Sequence, residues 1–129
     1  MEHIVNKFFA AMAQRNLDDI LALIADETDW YIPGNEAIAP WLGHRSTKAA
    51  IADFYRMLWE NTEAVEGHID HSFTQGNVNL TAGRFTTRML QTGKLYESIF
   101  FTSMTIENDL IVKYRLLEEG YGLVKALQP

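Results

Sequence analysis

Apolar positions recur in helical steps along the first dozen residues. Ile4, Val5, Phe8, Phe9 and Met12 are spaced one, three, one and three apart, which puts them on one face of an amphipathic helix. Asn16 then carries an N-cap side chain, with Asp18 and Asp19 in the first turn. Ile20, Leu21, Leu23 and Ile24 supply the apolar face of a second, shorter helix. Residues 28–32 predict a strand closed by Pro33-Gly34, followed by a loop or short hairpin as far as Gly43. Ser46 or Thr47 caps a third helix, whose stripe is Ile51, Phe54, Tyr55, Leu58 and Trp59. After it the period changes to two. Residues 65–74, 78–90, 95–106 and 110–117 read as strands, parted by Gln75-Gly76-Asn77, Gln91-Thr92-Gly93-Lys94 and Glu107-Asn108-Asp109. Three helices enclosing one early strand, then four antiparallel strands, predict an α+β fold with a curved sheet wrapped over the helices.

Ile99-Phe100-Phe101 breaks the alternation and puts apolar surface on both faces of its strand. One face can meet the helices. The other calls for a second subunit, so a homodimer is expected.

The chain has 129 residues, 47% hydrophobic and 22% charged, which fits a single domain over residues 1–129. It has no cysteine, so disulfides, thiolate nucleophiles and Cys-ligated clusters are excluded. A net charge of −6 argues against nucleic acid or an anionic membrane as partner. No stretch reads as a membrane span, and Met1-Glu2-His3-Ile4 lacks the basic start of a signal peptide, so a cytoplasmic location is the default. No Walker loop, G-x-G-x-x-G or G-x-S-x-G is present. The expectation is therefore that no cofactor is used.

The motifs Phe8-Phe9-Ala10-Ala11-Met12, Asn16-Leu17-Asp18-Asp19-Ile20 and Leu23-Ile24-Ala25-Asp26 resemble the opening helix pair of the nuclear-transport-factor-2-like superfamily, in its branch of SnoaL-like polyketide cyclases and ketosteroid isomerases. Pro33-Gly34, Gly43-His44-Arg45 and the run from Ala49 to Tyr55 resemble that family's strand, loop and third helix. Leu110-Ile111-Val112-Lys113-Tyr114-Arg115 and Leu117-Glu118-Glu119 resemble its last strand. The resemblance implies a cystatin-like cone enclosing an apolar pocket for a small hydrophobic molecule. It also implies a test. Ketosteroid isomerases use a tyrosine on the first helix, an aspartate base before the strand's proline and an aspartic acid on a later strand. The matching positions here hold Phe8, Ile32 and Thr102. Phe8 and Ile32 cannot move a proton, so that mechanism is not expected. SnoaL-type cyclases carry an acid on the last strand, where Glu118 falls, and a histidine on the strand before, which here offers Phe100, Thr102 and Met104.

Glu118 is the leading candidate for a proton carrier. At period two it shares a face with Val112, Tyr114 and Leu116, the more apolar side of its strand. It is either a desolvated pocket acid or a solvated carboxylate where the strand has ended. His71 shares a face with Val65, Gly67, Ile69 and Phe73, and is either a second pocket base or a hydrogen-bonded core residue. The two would stand three strands apart, roughly 14 Å before curvature. Glu66, His68 and Asp70 alternate along one strand, which suits a solvated face better than a metal site, and no metal is expected. Trp30, Ile32, Trp41, Phe54, Tyr55, Trp59, Thr102 and Tyr114 are expected to form the substrate-binding wall. Arg84 and Arg88 alternate with Phe85 and Met89 and fall outside unless a bulge reverses the strand. If catalysis occurs, cyclisation, isomerisation or hydration fits a single acid. A non-catalytic binding module is the alternative.

Overall fold

A computed structural model describes residues 2–129. Helix α1 (Glu2–Ala13) buries Ile4, Val5, Phe8 and Ala11, the face that the spacing predicts. Helix α2 (Leu17–Ala22) starts where Asn16 accepts from the Asp19 N–H at 3.1 Å. Helix α3 (Lys48–Asn61) starts at Thr47, whose side chain accepts from the Ala50 N–H at 3.1 Å. The strands are β1 (Ile24–Ile32), β2 (Gly43–Thr47), β3 (Thr62–Gln75), β4 (Val78–Met89), β5 (Leu95–Glu107) and β6 (Leu110–Glu118). A last helix, α4 (Gly120–Leu127), follows β6 directly.

Three differences from the sequence expectation go beyond shifts of one to three residues at strand ends. Ile24 belongs to β1, not to α2, because it pairs with Ile111 across the sheet. Residues 43–47 extend beside β1 as an antiparallel edge strand, where the sequence predicted a loop and a cap. Helix α4 was not predicted. Its eight residues are too few for a periodic signal, and capping by Glu119 and burial of Leu123, Ala126 and Leu127 hold it in place.

The six strands form one sheet in the order β2-β1-β6-β5-β4-β3, antiparallel except where β1 lies parallel to β6. The β5–β6 turn holds Asn108 and Asp109 at φ of 53° and 61°, the left-handed pair of a tight hairpin that these two residue types tolerate best. The core, with Phe8, Ile20, Trp30, Ile51, Met104 and Ile111 fully or almost fully buried, fills the space between the helices and one face of the sheet. Asp29 on β1 and Arg115 on β6 close the parallel pair with an ion pair at 2.9 Å, and the Arg115 hydrogen bond holds the Asp29 carboxyl below its ordinary pKa.

Strand β3 carries two bulges. Glu66 pairs with Thr86 directly after Ala64 pairs with Thr87, leaving Val65 extra. His71 pairs with Ala82 directly after Ile69 pairs with Gly83, leaving Asp70 extra. Each extra residue reverses the inward and outward assignment beyond it. Ser72 and Thr74 therefore turn inward to hydrogen-bond Asn79 at 3.0 Å, and Ser72 also meets Thr81. Phe73 is left exposed. No described helix is long and apolar enough to cross a membrane.

Candidate functional site

Between the helices and the sheet lies a cavity of about 490 Å³. Helix α3 supplies Phe54, Tyr55, Leu58 and Trp59 to its wall, and α1 supplies Phe9 and Met12. Inward positions of β4, β5 and β6 supply Phe85, Phe100, Thr102, Tyr114, Leu116 and Glu118. Leu123 of α4 touches the same space. Exposed Glu66, His68 and Arg84 form its rim.

Glu118 stands on this wall because β6 keeps its alternation to the end: Tyr114 pairs with Met104, Leu116 with Thr102 and Glu118 with Phe100. The next residue anchors the position. The Glu119 N–H donates to Ser98 Oγ at 2.9 Å, its carbonyl accepts from the Tyr96 hydroxyl at 2.8 Å, and its carboxylate caps α4 by accepting from the Gly122 N–H. Glu119 is thereby committed to structure, and the strand delivers Glu118 alone to the cavity. Burial pushes the Glu118 carboxyl up to about 7, and no other cause contributes. The two cavity-lining guanidiniums are engaged elsewhere. Arg15 donates to the Thr62 carbonyl at 2.9 Å and to Thr62 Oγ1 at 3.2 Å, and Arg84 pairs with Asp70 at 3.3 Å. The Tyr96 and Tyr114 phenols are raised by burial and, secondly, by the charge of Glu118. Burial raises Tyr55 most, followed by Tyr114.

Phe100 lies over Gly83, where a β-carbon would meet its ring at 2.7 Å and the His68 carbonyl closer still. Its ring stacks on Phe9 at 6.1 Å and on Phe85 at 6.1 Å, so a panel of aromatic rings flanks the acid. Tyr55 Oη and Thr102 Oγ1 are buried in the wall without a hydrogen-bond partner.

Of the expected wall residues, Ile32, Trp41, Phe54, Tyr55, Trp59, Thr102 and Tyr114 line the cavity. Trp30 does not. It lies in the core beneath, its ring 4.1 Å from Tyr114 and 5.9 Å from Tyr55. His71 is also outside: it is exposed and stacks on Phe73, because the bulge at Asp70 turns it away. Glu66 and His68 stand 3.9 Å apart on the rim, and among the described residues no cluster of three or more His, Asp or Glu is arranged to hold a metal. Phe9, Phe85, Tyr96 and Phe100 were missed as wall residues. The break in alternation at Ile99-Phe100-Phe101 was the available signal for Phe100, since it requires one of the three to face inward.

A profile of the SnoaL-like domain matches residues 5–114. The chain belongs to the SnoaL-like family. No match was found among curated protein sequences. The fold of this SnoaL-like protein is similar to that of an NTF2-like protein from Burkholderia xenovorans LB400, with 26% identity and a TM-score of 0.86 over 98% of this chain and 94% of that one. It is similar to TerC, crystallised with polyporic acid, at 14% identity and a TM-score of 0.87 over 98% and 97% of the two chains. It is also similar to an LEH-like epoxide hydrolase of M. tuberculosis, at 15% identity and a TM-score of 0.76 over 97% and 86%. These likenesses agree with the α+β cone expected from the sequence.

Proposed function

We propose that this SnoaL-like protein binds a compact hydrophobic molecule in its cavity and performs acid–base chemistry on it, with Glu118 as proton carrier. The observation that carries the reading is Glu118 itself, a desolvated carboxyl on an aromatic wall whose pKa lies near neutrality. An acid poised there can both give and take a proton at physiological pH, which is what cyclisation, isomerisation or hydration requires. Tyr55 and Thr102, with unsatisfied hydroxyls in the same wall, are the groups that would orient the guest. A cavity of this size suits one drug-sized molecule, and the polyporic acid bound to TerC is a precedent in the same fold. Ketosteroid isomerisation is not the proposed reaction, because Phe8 and Ile32 occupy the donor and base positions.

The test is solvent deuterium exchange at the α-carbon of a panel of cyclic ketones, together with hydrolysis of a panel of epoxides. Glu118→Gln should bind the accepted compound unchanged and slow its turnover about 10²–10⁴-fold. Unimpaired turnover in that variant would remove Glu118 from the mechanism. The second reading is a non-catalytic binding module, favoured by the same unpartnered Tyr55 and Thr102 hydroxyls. It predicts binding with no turnover in the wild type.

The proposal takes residues 1–129 as one domain that works in the cytoplasm as a homodimer. Support for the dimer comes from Phe73, Leu80, Ile99, Phe101 and Leu117, which are all about half exposed or more. The register places them together on the outer face of β3 to β6.

A further inference from the structure

We propose that the cavity is a site for a hydrophobic ammonium compound, its cationic head held against the Glu118 carboxylate and surrounded by Tyr96, Phe100 and Tyr114. The inference rests on the cavity reading above but not on Glu118 acting as a catalyst.

The first argument is the sign of the wall. The face of an aromatic ring carries negative potential and attracts a cation, most strongly where water is excluded. Phe100 is the cross-strand partner of Glu118, and Phe9 and Phe85 stack against Phe100. Tyr96 and Tyr114 lie close enough for the charge of Glu118 to act on both phenols. The rings and the carboxylate thus line one volume.

The second argument is charge balance. The titratable and charged groups around that volume come from every neighbouring element. They are Tyr55 of α3, Arg15 after α1, Glu66 and His68 of β3, Arg84 of β4, Tyr96 of β5 and Tyr114 of β6. Arg15 donates to Thr62 and has its charge answered by Glu63, Arg84 pairs with Asp70, and His68 faces Glu66. Glu119 adds no cation, and its carboxylate is turned to the α4 N-terminus. An anionic guest would meet Glu118 with no free cation to receive it. A neutral guest is matched by the protonated acid and makes no use of the carboxylate charge. An ammonium guest supplies the missing counter-charge, and below neutral pH its arrival displaces the Glu118 proton to solvent.

Benzyltrimethylammonium and its uncharged isostere neopentylbenzene are the probes, titrated against the fluorescence of the cavity tryptophans Trp41 and Trp59. At pH 8.5 the cation should bind about tenfold more tightly than the isostere. Its affinity should fall about eightfold by pH 5.5, close to that of the isostere, because Glu118 then carries its proton and is as neutral as the side chain in Glu118→Gln. The isostere should show no such fall. Glu118→Gln should remove both the preference and the pH dependence while binding neopentylbenzene as the wild type does. The preference should persist in 0.5 M NaCl, since a buried pair is screened little. Equal affinities in the wild type, an unchanged cation affinity at pH 5.5, or a preference lost in salt would each overturn the proposal, the last by placing the cation on the rim. These readouts need only binding. A protein that takes the cation yet turns nothing over would overturn the catalytic reading alone.

Discussion

Burying a carboxyl without a cation costs folding free energy whenever the group is ionised. Glu118 titrates near 7 in the folded chain against an ordinary 4.5, so between those values the folded state holds a proton that the unfolded chain has released. Stability from this group is therefore present below about pH 4.5 and falls as pH rises to 7, by about 3 kcal/mol. Glu118→Gln should be the more stable protein at pH 8 by up to that amount. The advantage should vanish near pH 4.5, as read by urea unfolding of both proteins at the two pH values. A constant difference across that range would mean that the carboxyl is solvated. The position of Glu118 was legible because Tyr114, Leu116 and Glu118 keep strict alternation over a short, bulge-free run. Trp30 and His71 were not placed by the same logic. A tryptophan in a core and one on a cavity wall leave the same hydrophobic trace, and alternation gives no sign of where it is interrupted.

Strand β3 shows why that interruption was invisible. The first bulge falls at the apolar pair Ala64-Val65 and the second in the polar run Asp70-His71-Ser72, and two like residues in succession do not say which of them faces inward. The hydrophobic stripes of α1 and α3 carried no such ambiguity, and Asn16 and Thr47 marked two helix starts by their own capping chemistry. Thr47→Ala should cost about 1 kcal/mol in thermal or urea unfolding and leave the cavity intact. Gly83 is a harder constraint on the sheet. Its missing side chain lets Phe100 lie flat across β4, and an added methyl would strike that ring and the His68 carbonyl. Gly83→Ala should lose roughly 1–3 kcal/mol of stability. It should also change ligand affinity more than Thr47→Ala does, because Phe100 borders Glu118. Equal affinities in the two variants would show that the ring's seat is unimportant to the site.

At the scale of the whole molecule, the exposed apolar face of the sheet is what supports the proposed homodimer. Phe101 is 51% and Ile99 59% exposed, and large apolar side chains so displayed in one patch are unusual on a monomer. In the proposed homodimer, Phe101→Asp should give a monomer or an aggregate in sedimentation equilibrium at micromolar concentration. A dimer unaffected by aspartate at either Phe101 or Ile99 would move the interface elsewhere. The doublet around Phe100 announced this face in the sequence. The sheet order could not be read there, since β1 and β6 pair across most of the chain and no local pattern links them. That pairing has a consequence for how the protein is made. Asp29 and Arg115 are 86 residues apart, yet they clasp neighbouring strands near the middle of the sheet. The β3-β4-β5 meander can close as its turns emerge from the ribosome, whereas β1 waits beside an empty slot until β6 is synthesised. Long-range closure of this kind is slow, and it leaves two strand edges open in the meantime. Glu118 arrives on that last strand, so a nascent chain has no closed cavity until its sheet is complete.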